Sequence, residues 1–237
     1  MKTFNRIAFF LIFVAAAVSC GSNNNISKTI SVTDISLTDI SLGAVPKEWG
    51  SPNNGLIFSI TTYDGVTESK PFVKSLGHSW VSLENKTGHS VFIKDYELQN
   101  NQAVAFSVWS ISGHGGVYFN IEPNFIKQNG RYDGRKSLSV NIDESKLDDI
   151  QDFINNNDRW TSLKNCSYWS LTLWNKIVDE QYRLYPLPVI YTPSKIQNLM
   201  KKFDCVEVNK DFSSAGGIFH YLNNVSQEMT LCARNVK

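Results

Sequence analysis

The chain has 237 residues and a formal net charge of +1 at pH 7, so its overall charge gives no argument for a nucleic acid or an acidic polymer as partner. Aromatic residues make up 12% of the sequence and include 6 Trp. Such a content is typical of a sugar- or acyl-contacting cleft or, as we favour here, of aromatic strands in a β-rich core.

The N-terminal residues have the pattern of an export signal. Lys2 and Arg6 form a short positive region, and residues 7–18 are almost wholly apolar. This run is too short to remain as a membrane span. Residues 17–20, Ala-Val-Ser-Cys, resemble a bacterial lipoprotein cleavage box, whose cysteine becomes the lipidated first residue. An ordinary signal peptide cleaved near the same place is the alternative.

These features predict three parts of the chain. Residues 1–19 form a lipoprotein signal peptide, and residues 20–45 form a polar tether that is anchored to a membrane of the bacterial envelope through lipid on Cys20. The tether contains two copies of Thr-Asp-Ile-Ser-Leu, too few for a solenoid. Residues 46–237 are long enough for one domain with a substantial core.

The first half of this domain is predicted to be rich in β-strands. Its candidate strands are residues 56–63, 79–83, 90–93, 103–111, 116–121 and 137–142, which are rich in β-branched and aromatic residues. Gly88 suits the left-handed position of a loop, so we expect residues 79–83 and 90–93 to form a hairpin.

The second half of the domain is predicted to be mainly helical. Asp143 caps a helix whose apolar residues recur at helical spacing up to Ile154. A second helix begins near Cys166 and is buried over much of its circumference. After Pro186 and Pro188, residues 189–191 are predicted to form a strand, and Thr192 caps a third helix that continues through Lys202.

The tail after this helix has weaker signals for residues 218–222 and 230–232, which we predict to be strands. In an exported protein, Cys205 and Cys232 can form a disulfide if the fold brings their Cα atoms within disulfide distance. Cys166 is then left as an unpaired thiol.

Cys166 is the candidate nucleophile. A thiol at a helix N-terminus lies at the positive end of the helix dipole, which favours the reactive thiolate. The alternative is a buried structural cysteine, which is the common role of a free Cys.

A thiolate that performs acyl transfer needs a histidine partner, and the chain has four candidates. His78 begins a short aromatic strand after Gly77, and rigid elements position chemical groups better than loops do. His78 is therefore preferred over His89, His114 and His220, each of which is otherwise a surface or satisfied histidine.

The residue that orients His78 is predicted from the expected hairpin. A turn at residues 85–88 would place His78 opposite about Asp95 or Tyr96, and the Asp95 carboxylate could accept the imidazole N–H. His89 and Glu122 are the alternatives. We expect no cofactor, because the sequence has no metal-ligand motif and no Gly-rich nucleotide loop.

Together these motifs resemble the circularly permuted papain-like cysteine hydrolases, a group that includes NlpC-type cell-wall peptidases and lecithin:retinol acyltransferase. The resemblance lies in residues 77–83 (Gly-His-Ser-Trp-Val-Ser-Leu), in Asn165-Cys166 leading to Trp169 and Trp174-Asn175, and in Thr192-Pro193-Ser194. It covers roughly residues 55–203.

The resemblance implies a papain-like α+β fold, in which an antiparallel sheet packs against the helix that carries Cys166. It also implies Cys166 as nucleophile and His78 as general base. Family members often carry a third polar residue about a dozen positions after the histidine, which here falls near Ser90 and not on Asp95.

The expected function is hydrolysis of an amide or related acyl bond in a peptide or acyl substrate, with peptidoglycan peptides as the favoured substrate in the bacterial envelope. Two alternatives stay open. One is a non-catalytic surface lipoprotein that binds glycan or protein. The other is a lipid acyltransferase or thioesterase on the same fold.

Overall fold

An antiparallel β-sheet with helices packed on it forms the domain. The structure is a computed structural model that describes residues 55–65, 77–109, 116–185, 191–212, 214, 216–223 and 225–229. The strands are β1 (Leu56–Tyr63), β2 (His78–Asn85), β3 (Val91–Ile93), β4 (Tyr96–Leu98), β5 (Ala103–Val108), β6 (Val117–Phe119), β7 (Lys136–Ile142), β8 (Glu207–Val208), β9 (Ile218–Leu222) and β10 (Val225–Met229). The helices are α1 (Ile121–Asn129), α2 (Lys146–Asn156), α3 (Cys166–Ile177) and α4 (Pro193–Met200).

The main sheet has eight strands in the order β10-β9-β6-β5-β2-β1-β7-β8, and neighbouring strands are antiparallel. Strands β2 and β1 are therefore central, and His78 pairs with Tyr63. Strands β3 and β4 form a separate two-stranded hairpin. This arrangement places His78 at the beginning of a strand that has neighbours on both sides.

Apolar side chains on both faces of β2 explain why this strand is almost wholly buried. Successive side chains of a strand point to opposite faces. Val81 and Leu83 belong to the larger apolar cluster, which also contains residues of α3. Trp80 belongs to a smaller cluster on the other face, with Phe125 of α1. Each face of β2 is thus covered by an apolar cluster that includes residues of a helix.

Helix α3 packs through its tryptophans. Trp174 stacks on Phe58 of β1 with ring centroids 5.6 Å apart, and Trp169 contacts Phe153 of α2 at 5.2 Å. Both indole N–H groups donate to backbone carbonyls, of Asn157 and Tyr182. Burial of an aromatic side chain with its polar atom satisfied contributes on the order of 2–3 kcal/mol. These contacts fix the position of Cys166 at the first turn of α3.

Much of the predicted pattern is confirmed. The chain is an α+β protein with a mostly antiparallel sheet, and helices begin at Cys166 and at Pro193 as expected. Thr192 caps α4, since its Oγ1 accepts a hydrogen bond from the Lys195 N–H at 3.3 Å. Helix α4 ends at Met200, two residues earlier than predicted.

Two predictions about local structure are wrong. The strand predicted over residues 116–121 ends at Phe119, because Asn120 turns the chain with a φ of 61°. Ile121 then begins helix α1, for which no helix was predicted. Asp143 does not cap α2. Its carboxylate accepts a hydrogen bond from the Ser145 N–H at 2.8 Å, and the helix begins at Lys146.

The expected hairpin between residues 79–83 and 90–93 is also wrong. Strand β2 pairs with β1 and β5, whereas β3 pairs with β4. The side chain of Asn85 fixes this departure of the chain, because its Nδ2 donates to the carbonyls of His89 and Leu98. The predicted pairing of His78 with Asp95 therefore does not form.

Several predictions lie outside the described residues. They concern the signal peptide, the tether with Cys20, the start of the domain at residue 46, residues 186–190, Cys232 and the strand predicted at 230–232. Among the helices of the described residues, none is long and apolar enough to cross a membrane.

Gly77 has no room for a side chain. A Cβ atom at this position would lie 2.7 Å from the Tyr63 carbonyl oxygen and 2.9 Å from Pro193 Cγ. We expect Gly77→Ala to lower the free energy of unfolding by about 1–3 kcal/mol, because backbone must move to relieve the overlap. Urea unfolding measures this loss.

Gly55→Ala is the matched control for Gly77→Ala. A Cβ atom at Gly55 would have its nearest neighbour, the Ile142 carbonyl oxygen, at an ordinary 3.7 Å. Equal stability of the two variants would contradict the steric argument.

Candidate active site

Cys166 is the first residue of α3, and Asn165 is its N-cap. The Asn165 Oδ1 accepts a hydrogen bond from the Tyr168 N–H at 2.9 Å, and its Nδ2 donates to the Tyr191 carbonyl at 3.1 Å. The Trp169 N–H donates to the Asn165 carbonyl. Among the first-turn N–H groups of the helix, those of Cys166 and Ser167 are therefore left to act on the thiol or on a bound group.

His78 lies between Glu122 and Cys166. Its Nε2 is 2.7 Å from Glu122 Oε1, and the two side chains are only 8% and 0% exposed. The Cys166 thiol is the other group that acts on the imidazole, through charge and hydrogen-bonding interaction. Because Nε2 is engaged by Glu122, Nδ1 is the ring nitrogen that remains for the thiol. Glu122, His78 and Cys166 thus form one group of interacting titratable side chains.

This contact favours the charged forms of Cys166 and His78. Burial opposes the charge on His78, but the Cys166 thiolate and the Glu122 carboxylate outweigh it and raise the pKa of His78 to about 9. Burial also opposes the thiolate. The charge and hydrogen bond of His78, together with the N–H groups of Ser79 and Ser167, outweigh it and lower the pKa of Cys166. A thiolate–imidazolium pair is therefore the favoured form at neutral pH.

Trp109 contacts both members of the His78–Glu122 pair. Its Nε1–H donates to Glu122 Oε1 at 2.9 Å, the same oxygen that binds His78. Its ring centroid lies 4.2 Å from that of the imidazole. An aromatic ring beside an imidazolium stabilises the positive charge and limits the rotation of the ring. Trp109 thus holds the carboxylate and the imidazole together.

A row of buried hydroxyl groups connects α3 to the sheet. Ser167 Oγ lies 3.1 Å from Ser79 Oγ, which in turn lies 3.1 Å from Thr62 Oγ1. Thr62 Oγ1 donates to the Pro193 carbonyl at the start of α4. The three bonds join α3 to β2, β2 to β1 and β1 to α4, so the row fixes the first turn of α3 against β2 and β1.

This arrangement has the parts that nucleophilic acyl transfer needs. Cys166 supplies a thiolate, His78 a group that can give and take a proton, and Glu122 a carboxylate that orients the imidazole. The N–H of Cys166 is in the first turn of α3, where N–H groups lack a partner within the helix, and it is the candidate donor to a developing oxyanion.

Of the predicted site residues, the structure brings Cys166 and His78 together and leaves Asp95 apart. Asp95 is an exposed residue in the turn between β3 and β4. The assignment of Asp95 as the orienting residue is corrected, because β3 and β4 do not pair with β2. The alternative Glu122 is the carboxylate that contacts His78.

The other histidines lie elsewhere. His89 is exposed and pairs with Glu144 at 3.1 Å, and His220 stacks on Tyr118 in the sheet. His114 is outside the described residues. Within the described part of the chain, no group of three His, Cys, Asp or Glu side chains could hold a metal ion.

Sequence reasoning missed two aromatic residues of the site, Trp109 and Tyr132. The ring of Tyr132 lies 5.9 Å from that of His78, and the residue is 8% exposed. Trp109 follows β5 and Tyr132 follows α1, and neither residue belongs to a sequence motif that would mark it as part of a site. For the carboxylate partner the sequence did contain a signal: Glu122 is an acidic residue next to the apolar residues 117–119 and 121 of the predicted strand.

We expect His78→Ala to slow alkylation of Cys166 by iodoacetamide at pH 7 by at least about tenfold, since roughly one unit of thiol pKa changes the thiolate fraction tenfold. Without the imidazolium, burial dominates and the pKa of Cys166 rises. The rate should recover at high pH. His89→Ala is the control, and an equal loss in both variants would contradict the pairing.

We expect Glu122→Gln to lower the pKa of His78 from about 9 by roughly one to three units, because the hydrogen bond and charge of the carboxylate raise it. The His78 proton is then lost at a lower pH. The pH range in which the thiolate–imidazolium pair exists therefore ends at a lower pH in the variant. An NMR titration of the imidazole measures this shift. Asp95→Asn should leave the titration unchanged; a shift in that variant instead would restore Asp95 as the partner.

Comparison with known proteins gives no further assignment. Neither the protein-family models, nor the curated proteins, nor the solved structures contain a match to this chain.

Proposed function

We propose that this protein is a cysteine hydrolase that cleaves an amide or related acyl bond, with Cys166 as nucleophile and His78 as proton carrier. The observation that carries the proposal is the buried His78–Glu122 hydrogen bond beside Cys166, whose pKa is lowered by the charge of His78 at the first turn of α3. Glu122 takes the orienting role in place of Asp95.

In the first step, the Cys166 thiolate attacks the carbonyl carbon and forms a C–S bond. The carbonyl π electrons move to oxygen, and the N–H of Cys166 stabilises the resulting oxyanion. The imidazolium of His78 then gives its Nδ1 proton to the leaving nitrogen or oxygen. As the oxyanion collapses, the bond to the leaving group breaks and a thioester remains on Cys166.

In the second step, neutral His78 takes a proton from a water molecule. The resulting hydroxide equivalent attacks the thioester, and the C–S bond breaks to release a carboxylic acid and the Cys166 thiolate. Throughout both steps Glu122 keeps the imidazole in one tautomer and orientation through its bond to Nε2. The protonation states after one turnover equal those before it.

We further propose that the domain has a permuted papain-like fold. The support is the order of its parts: the strand that carries the histidine precedes the helix that carries the cysteine, and that helix packs on an antiparallel sheet.

We propose peptides of the cell wall as the substrate and the bacterial envelope as the location. This step rests on the export signal and the lipidation sequence at Cys20, together with the resemblance to NlpC-type peptidases. The same mechanism acts on thioesters and lipid esters, so a panel of peptidoglycan fragments, thioesters and lipid esters identifies the substrate class.

We expect Cys166→Ala to abolish labelling by a thiol-directed acyl probe and to abolish hydrolysis. Cys205→Ala is the matched control, because Cys205 is the other free cysteine of the described residues and burial raises its pKa. Intact protein mass measures labelling. Equal labelling of wild type and Cys166→Ala would overturn the enzyme proposal and favour the alternative of a non-catalytic surface lipoprotein that binds glycan or protein.

A further inference from the structure

Tyr132 points inward from an otherwise exposed turn. Arg131 and Asp133 on either side are exposed, whereas Tyr132 is 8% exposed. Its backbone has a φ of 65°, a left-handed conformation that bulky side chains rarely adopt. Strained residues of this kind persist when surrounding contacts require them, and they cluster at functional sites.

Those contacts are with the surroundings of His78. The ring centroid of Tyr132 lies 5.2 Å from that of Trp80 and 5.9 Å from that of His78, while Trp80 and His78 are 5.8 Å apart. The three rings thus form a close triangle. The edge of Tyr63 contacts Tyr132 from β1 at 5.5 Å. Tyr132 is therefore packed on the imidazole that binds Glu122 and Cys166.

Two buried polar atoms beside these rings have no hydrogen-bond partner among the described residues: the acceptor Glu122 Oε2 and the donor Trp80 Nε1. An unpartnered buried polar atom is costly, so native proteins rarely retain one. The Tyr132 hydroxyl is a second donor. Burial and the charges of Glu122 and Cys166 raise the pKa of Tyr132, which keeps its proton in place.

We propose that one buried water molecule joins the Tyr132 hydroxyl, Trp80 Nε1 and Glu122 Oε2, and that Tyr132 is a positioning residue that acts on His78 through Glu122. The hydrogen bonds balance, because the water accepts from two donors and donates to the carboxylate. Three bonds are the usual number for a buried water. The inward, left-handed Tyr132 supplies the donor that the neighbouring apolar side chains lack.

The consequence concerns the orientation of Glu122. A buried carboxylate is held more firmly against the imidazole when donors bind both of its oxygens. Oε1 already accepts from His78 and Trp109, and the water serves Oε2. Besides Glu122, the charged or titratable groups that face His78 and Tyr132 are Tyr63 of β1, Arg131 of the turn and Cys166 of α3.

The test is the pH profile of Cys166 alkylation by iodoacetamide in the full chain. We expect Tyr132→Phe to move the acidic midpoint of this profile up by about one pH unit, since a hydrogen bond to a charged group is worth on this order. Below both midpoints the variant reacts about tenfold more slowly. Trp80→Phe should shift the midpoint in the same direction, and it provides the test if Tyr132→Phe fails to fold.

A double-mutant comparison identifies the route of the effect. If Tyr132 acts through Glu122, adding Tyr132→Phe to Glu122→Gln produces no additional shift. Tyr118→Phe is the matched control, because Tyr118 is a buried tyrosine of the same apolar cluster. An unchanged midpoint in Tyr132→Phe would overturn the inference, as would a shift that persists with Gln at position 122.

The positioning role rests on the Cys166–His78 pair of the proposed function, but the test needs no substrate. Iodoacetamide reports the thiolate alone. A protein that shows the expected shifts and yet cleaves no amide, ester or thioester would overturn the proposed hydrolase activity while the inference about Tyr132 stands.

Discussion

The buried contact between His78 and its two partners is the interaction on which the candidate site depends. Removing any one of these side chains from water in its charged form is unfavourable. Together they reduce that cost, because the imidazolium interacts with a carboxylate, to which it is hydrogen-bonded, and with a thiolate, whose pKa it lowers. The site is thus an interdependent set, and an isolated thiol at the same helix position would stay protonated in such a buried place.

The fold maintains this contact by holding each partner on a different element. His78 begins a central strand, Cys166 begins α3, and Glu122 lies in α1 on the side of the smaller apolar cluster. The tryptophans of α3 fix that helix on the sheet, and the row from Ser167 to Thr62 fixes its first turn. Apolar burial thus supplies the stability, whereas the buried hydroxyl groups determine the position.

The sequence predicted the elements that have a local signal. Asn165 before the apolar residues of α3, and Thr192-Pro193 before α4, mark helix starts through capping, which acts within a few residues. By contrast, the lack of space for a side chain at Gly77 and the pairing of β2 with β1 depend on residues that are distant in the sequence. The sequence therefore predicted Cys166 and His78 as partners but preferred Asp95 to Glu122 beside the imidazole, because strand order decides which carboxylate reaches the ring and has no local signal. Asp95 is only seventeen positions from His78, and Glu122 is forty-four positions away.

The position of Glu122 in the first turn of α1 has a consequence for the overall charge of the site. With Cys166 also in the first turn of a helix, both anions lie at helix N-termini, and the single cation lies between them. The ionised side chains sum to one negative charge. Each helix N-terminus contributes roughly half a positive charge. The sum is close to zero, so the three side chains and the two helix N-termini together produce little net electrostatic field around Cys166.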